Sequence, residues 1–326
     1  MWLLSLLCAC GVGGGGAELR VESGPQSGLG PFRLLLAAEA PALDAPFVLL
    51  APGLEVAEPA AVADGAQLRL WVSVRPRQGV PFIAEATVPR LEEGASELMP
   101  VLLPHAPWEQ SGLGRPALVR GEPGLPRYVL FYQAEHGDVG AAVSEDGHGF
   151  WQLPVPLLPA AAIGGARGLG GLVTAQELHL FLVRGEVELV RARASVAEVA
   201  RALGGGPPPG WQVGSLGLAA VDFVVPGSGT ETVPGERILS VSARAVQTPA
   251  GRRRYDLFVT VGAGPRRALC AASSYDGRQY LVVPTPLLGR PGGQLQGGTV
   301  LLYRQRALLL VGLTTTRSGI AAGLIP

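Results

Sequence analysis

The chain has 326 residues, 48% hydrophobic and 16% charged, with 26 cationic and 26 acidic side chains. That length buries a large core, excluding a disordered chain or a disulfide-stapled miniprotein, and the balanced charge leaves no basic excess for nucleic acid. The sequence contains neither Lys nor Asn, so a Walker-type phosphate loop, a kinase lysine and a pyridoxal Schiff base are excluded outright.

Met1 to Cys10 reads MWLLSLLCAC and is followed by a Gly-rich run. The ending Leu7-Cys8-Ala9-Cys10 resembles a bacterial lipoprotein signal. The resemblance implies cleavage before Cys10, a lipid on its sulfur, and a membrane anchor through that lipid. Residues 1–9 are then a signal peptide, 10–18 the lipidated Cys and a flexible tether, and 19–326 the folded body. Gly11 follows the Cys rather than Asp, which leans towards the outer membrane or cell surface. The segment departs from the usual pattern in having no cationic n-region; a start codon assigned too late explains this.

The 47 Gly and 29 Pro are spread along the chain, as a turn-dense all-β protein requires. Phe32-Arg-Leu-Leu-Leu-Ala37 is a first apolar run with no hairpin partner beside it. Pro59-Ala-Ala-Val62 with Leu68-Arg-Leu-Trp-Val72 opens a first unit. Arg115-Pro-Ala-Leu-Val119, Tyr128-Val-Leu-Phe-Tyr132, Ala141-Ala-Val-Ser-Glu-Asp-Gly147 and Pro154-Val-Pro-Leu-Leu158 form a second. Gly170-Gly-Leu-Val173 with Leu178-His-Leu-Phe-Leu182 begins a third. Within it, Ser195-Val-Ala-Glu198 is a capping box that starts a short helix, which Gly204 stops. Ser242-Ala-Arg-Ala-Val246, Tyr255-Asp-Leu-Phe-Val259, Ala271-Ala-Ser-Ser-Tyr-Asp-Gly277 and Pro284-Thr-Pro-Leu-Leu288 repeat the second unit in order and spacing. Thr299-Val-Leu-Leu302 with Leu308-Leu-Leu-Val311 is the last unit and runs out after three strands. The equivalent first-strand positions are 59, 116, 170, 243 and 299.

Five four-stranded antiparallel units around an axis make a five-bladed β-propeller. The incomplete last blade takes its fourth strand from the N-terminal run, which removes an exposed edge.

The repeats, the Pro59-Ala-Ala-Val-Ala-Asp-Gly65 segment and the Ser-x-Asp-Gly hairpins resemble the five-bladed glycoside hydrolases of the arabinanase, xylosidase and fructosidase type. The resemblance covers about residues 30–326 and implies acidic residues on the innermost strands, converging at one mouth of the channel: a base Asp, an acid Glu and a tuning Asp. The positions just before the aligned first-strand sites are Glu58, Arg115, Leu169, Ser242 and Gly298, of which Glu58 alone is a carboxylate. Glu109, Asp222, Glu231 and Glu236 lie in segments leading towards inner strands and are candidates for the missing roles. Asp146 and Asp276 occupy the repeated hairpins and read as turn residues.

Glu58 is the one catalytic candidate, and Glu58, Arg115, Trp108, Trp151 and Ser242 are the ligand-binding candidates, since sugars dock on aromatic faces with a few polar groups. Glu58 with Arg115 is equally an ion pair at the channel mouth. The histidines 105, 136, 148 and 179 show no metal-ligand spacing, no cofactor is expected, and Cys270 in its apolar run reads as a buried structural thiol. The leading functional expectation is a tethered propeller that binds a glycan or polysaccharide with its catalytic acids depleted. The alternatives are a glycosidase or glycoside phosphorylase using Glu58 and rearranged carboxylates, and a scaffold lipoprotein for an envelope protein.

Overall fold

The computed structural model describes residues 29–35 and 46–325, except 175, 229, 249, 290 and 291. Cys10, the signal segment and the tether lie outside the described residues. The rest is an all-β propeller of five antiparallel blades. Blade 1 comprises Leu54–Asp64, Gln67–Pro76, Phe82–Val88 and Met99–Leu102. Blade 2 comprises Leu113–Arg120, Tyr128–Ala134, Val139–Ser144 and Trp151–Gln152. Blade 3 runs Arg167–Val173, Glu177–Arg184, Glu188–Ser195 and Gln212–Ala219, and blade 4 runs Arg237–Gln247, Arg253–Ala263, Arg266–Ser274 and Leu281–Val282. Blade 5 has Gln294–Tyr303, Arg306–Thr314 and Ser318–Leu324 of its own.

The N-terminal segment closes the ring. Arg33–Leu34 pairs antiparallel with Ser318–Leu324, with Arg33 opposite Leu324. The expected closing strand is shorter than the apolar run, and Phe47–Leu50 completes it by pairing with the same edge, Phe47 opposite Ala321.

Continuous apolar strands arise because both faces of each blade are buried. In the second strand of blade 2, Tyr128, Leu130 and Tyr132 pack against blade 1, whereas Val129 and Phe131 pack against blade 3. The hydrophobic core is thus five wedges, one between each neighbouring pair of blades. The helix Val196–Leu203 lengthens blade 3 as its capping box predicts, with Ser195 Oγ accepting from Glu198 N. Its Val199, Ala202 and Leu203 cover the outside of the wedge between blades 2 and 3.

The two Ser-x-Asp-Gly hairpins are built alike. Asp146 accepts from Ser144 Oγ, His148 N and Gly149 N, and Asp276 accepts from Ser274 Oγ, Arg278 N and Gln279 N. Each hairpin is also gripped by an arginine of the preceding blade, Arg69 on the carbonyl of Asp146 and Arg191 on that of Gly277. The hydrogen bonds from His148 N, Ser144 Oγ and Gly149 N hold the Asp146 carboxyl at about 2, below its ordinary 3.8. A depressed carboxylate contributes stability above its unfolded value that is lost as pH falls through the folded one. Stability is therefore expected to drop between about pH 4 and pH 2, and the drop should shrink in Asp146→Asn when unfolding is followed by denaturant titration at each pH.

Cys270 is buried on the third strand of blade 4. Burial pushes its thiol up to about 12, and the thiol donates to the Val224 carbonyl. The thiolate is the reactive form, so iodoacetamide is expected to alkylate Cys270 only after unfolding, as peptide mass spectrometry would show.

Candidate functional site

The inner strands carry a bulge near their N-terminal ends, where two residues face one on the neighbouring strand. The ladder skips between Ala57 and Ala60, Gly114 and Ala117, Arg167 and Gly170, Ile238 and Ser240, and Leu295 and Gly298. Glu58-Pro59 and Arg115-Pro116 are the bulges of blades 1 and 2, and Gly168-Leu169 is that of blade 3. The sequence alignment therefore needs correcting. Leu169 does lie in its bulge, but Ser242 and Gly298 fall beyond theirs, where Leu239 and Gln296-Gly297 sit instead.

All five positions nonetheless meet. Glu58, Arg115, Leu169, Ser242 and Gly298 line one narrow neck of the axial channel, about 20 Å³ in volume. Ser242 Oγ donates to the Gly298 carbonyl at 2.5 Å across it. Beyond the neck lies a chamber of about 380 Å³ walled by small and apolar residues such as Ala61, Leu118, Ala243 and Leu301. On the other side the channel opens into a mouth of about 180 Å³ that contains most of the charge: Glu55, Glu58, Glu135, Arg75, Arg115 and Arg267.

Glu58 Oε2 accepts from Ser73 Oγ at 3.0 Å, and its Oε1 lies 3.6 Å from Arg115 Nε. The backbone N–H of Arg115 donates to the same Ser73 hydroxyl at 2.7 Å, which fixes the two bulges to each other. Glu55 accepts from Gln296 Nε2 at 2.8 Å, and Glu135 from Arg75 Nη2 at 2.9 Å. Two polar atoms of the mouth, Arg115 Nη1 and Gln296 Oε1, are buried with no hydrogen-bond partner. One is a donor and the other an acceptor.

The bulge backbone is itself informative. Glu58 and Arg115 have φ of +50° and +56°, whereas Gly168 and Gly297 fill the left-handed positions of blades 3 and 5. A side chain at 297 would press on Glu58, its Cβ falling 3.0 Å from the Glu58 Cα. Blades 1 and 2 keep a charged side chain where the conformation favours glycine, and such strain is concentrated at functional positions.

The remaining candidates are placed elsewhere. Trp108 stacks on Tyr132 at 5.9 Å and donates to the Pro154 carbonyl at 3.1 Å, within blade 2. Trp151 is 56% exposed on the outermost strand of that blade. Neither lines the mouth, the neck or the chamber.

The acids expected to approach the channel do not reach it. Glu109 is fully buried and accepts from His105 N, Ala106 N and Tyr132 Oη. Asp222 accepts from Ala219 N, Glu231 from Ser228, and Glu236 from Gly264 N. Asp222 and Glu231 are held within local turns, Glu109 by Tyr132 as well as its own turn, and Glu236 by the turn after the second strand of blade 4. In their place the structure brings Glu55 and Glu135 to the mouth, two residues the sequence reading missed. Their available signals were Glu55 three positions before Glu58 and Glu135 at the turn after an inner hairpin.

Among the described residues no group of three or more His, Cys, Asp or Glu is placed to hold a metal. His179 is buried, and desolvation, followed by Arg191, lowers its imidazole to about 4.

No protein-family model matches the chain, and no curated protein does. Solved structures do. An endo-arabinase from Bacteroides thetaiotaomicron superposes with a TM-score of 0.61 at 13% identity, covering 86% of this chain and 97% of the other. An α-L-arabinofuranosidase from Podospora anserina, in complex with cellotriose, gives 0.60 at 13% identity over 85% and 93%. An α-L-arabinofuranosidase catalytic domain from Coprinopsis cinerea gives 0.59 at 13% over 83% and 90%. The chain shares its five-bladed propeller fold with these structures. Relative to that fold, the mouth described above lies at the N-terminal ends of the inner strands, with Glu58 on the first blade and Arg115 on the second.

Proposed function

We propose that this chain is a glycan-binding propeller whose mouth holds a sugar between Glu58, Arg115 and Gln296, with the acid–base pair of a glycosidase depleted. The observation that carries this reading is that Arg115 Nη1 and Gln296 Oε1, on side chains lining the mouth, have no hydrogen-bond partner among the described residues. A buried donor and a buried acceptor lining one cavity suit a hydroxyl, which accepts from one and donates to the other. A sugar presents several.

Depletion of catalysis in this reading is supported by the partners of the carboxylates: Glu58 has a guanidinium and a hydroxyl beside it, Glu135 a guanidinium, and Glu55 an amide. The arabinofuranosidases and the endo-arabinase of similar fold, one of them in complex with cellotriose, direct the first trials to arabinan and to β-linked oligosaccharides. In this reading the lipid on Cys10 displays the propeller at the cell envelope, at the outer membrane or cell surface.

The test is isothermal titration of the purified protein with arabino-, xylo- and cello-oligosaccharides, alongside a reducing-sugar assay. Binding without release of reducing ends is the expected result. One specific observation favours the hydrolytic reading, namely that three carboxylates line one mouth. Turnover that disappears in Glu58→Gln would establish it and overturn the binding-only conclusion.

A further inference from the structure

A second constellation lies on the lip of the mouth, in residues the glycan reading does not use. Ser111 ends the short turn after Pro107–Glu109 and precedes the inner strand of blade 2. His136 and Asp138 occupy the turn between the second and third strands of that blade. The two segments are tied together by the bond from Glu135 N to the Gly112 carbonyl at 3.1 Å. Ser111 Oγ stands 3.2 Å from His136 Nδ1, and His136 Nε2 stands 2.6 Å from Asp138 Oδ2. The other carboxylate oxygen, Oδ1, accepts from Ala160 N at 2.6 Å.

We propose that Ser111, His136 and Asp138 form an esterase site that removes O-acyl groups from the glycan held in the mouth. The substrate class rests on the glycan reading above; the triad chemistry does not. A nucleophilic serine needs a base within hydrogen-bond reach and a third group that fixes the base. Asp138 meets the last requirement, since its side chain is 15% exposed and is held from both sides, while His136 is 46% exposed and open to substrate. With Asp138 accepting from Nε2–H, the lone pair of Nδ1 faces the serine hydroxyl. The position relative to the mouth is equally specific. Ser111 lies two residues from Leu113 and His136 is adjacent to Glu135, both of which line the cavity.

The steps balance without a co-reactant other than water. Ser111 Oγ bonds to the ester carbonyl carbon as its proton passes to His136 Nδ1. The bond from that carbon to the sugar oxygen then breaks, and the oxygen takes the proton, leaving acyl-Ser111. Water attacks the acyl group, Nδ1 accepts its proton and returns it to Ser111 Oγ, and the carboxylic acid departs. Ser111 and His136 are the catalytic residues; Asp138 is a positioning residue.

A fluorophosphonate probe applied to the full chain, read by peptide mass spectrometry, tests the site without any glycan. Failure of oligosaccharide binding therefore leaves this result readable. Ser111 is expected to label roughly 100-fold or more faster than exposed Ser228, and His136→Gln should remove that difference. Asp138→Asn should also remove it, because the amide donates to Nε2 and forces the ring proton onto Nδ1. Asp138→Glu should restore part of the rate at an unchanged unfolding temperature, which a merely structural role would not produce. Labelling of Ser111 no faster than Ser228, or unchanged by His136→Gln, overturns the site. Acetate release from partially acetylated xylotriose, lost in Ser111→Ala, is expected for the substrate class. Labelling without acetate release from any acylated oligosaccharide that the protein binds would overturn that class alone.

Discussion

Asp256→Ala is expected to destabilise the propeller by about 3–5 kcal/mol, the cost of breaking a buried ion pair from one side. Asp256 sits on the second strand of blade 4 with no exposed surface. Its Oδ1 accepts from Arg254 Nε at 2.7 Å and Ser273 Oγ at 2.6 Å. Its Oδ2 accepts from Arg254 Nη2 at 2.9 Å and Arg244 Nε at 3.0 Å. Two guanidiniums thus share one carboxylate in the blade interior, and burial lowers the proton affinity of Arg244 despite the attraction of Asp256. Truncation leaves both cations facing each other without that carboxylate. For a domain of this size the loss corresponds to a fall of roughly 5–8 °C in unfolding midpoint, readable by differential scanning fluorimetry. A fall of a degree or two would show that the network adds little beyond packing. Asp256→Asn keeps the shape and two acceptor lone pairs, so its effect should be smaller.

Arg115→Gly is expected to separate stability from function. Arg115 holds φ at +56°, a conformation that costs a non-glycine residue about 1–2 kcal/mol. Glycine relieves that cost but adds backbone freedom to the unfolded chain, and the partly exposed pair with Glu58 is lost. Stability should therefore hold or rise by up to about 1 kcal/mol. Glycan affinity, by contrast, should fall roughly tenfold or more, because a charged hydrogen bond is worth about 1.5–3 kcal/mol. The backbone bond from Arg115 N to Ser73 Oγ survives the change, so the bulge itself should persist. A variant that loses more than about 1 kcal/mol would mean that the guanidinium holds the neck together rather than serving a ligand.

The left-handed bulges also explain which parts of the site were legible beforehand. In blades 1 and 2 the bulge is Glu58-Pro59 and Arg115-Pro116, and a residue before proline is steered away from the right-handed helical region. In blades 3 and 5 glycine supplies the same turn. The repeat alignment places Glu58 and Arg115 directly before Pro59 and Pro116, and the bulges fall on those same dipeptides. In blade 4 the skip falls at Leu239, with neither signal beside it, and the alignment slid to Ser242. The aromatic candidates lie away from the channel for a related reason: a Trp fits a blade interior or rim as well as a sugar platform, and Trp108 stacks on Tyr132.

What the sequence determined by itself is whatever short-range chemistry decides. Apolar strands, the Ser-x-Asp-Gly hairpins and the Ser195 capping box are each settled within a few residues, and their repetition along the chain sufficed for five blades, the last one short of a strand that the N-terminal run supplies. Tertiary structure alone decided which charges meet. Glu55, Glu135 and Gln296 come from three blades and share one mouth only when the ring closes. A bulge in each inner strand shifts the count by one, and in a strand one residue is the difference between two faces. Within blade 2, the pairing of Leu113 with Ala134 brings Ser111 to His136 across 25 residues of chain. Local rules fix the blades; the convergence of their ends is a property of the closed ring.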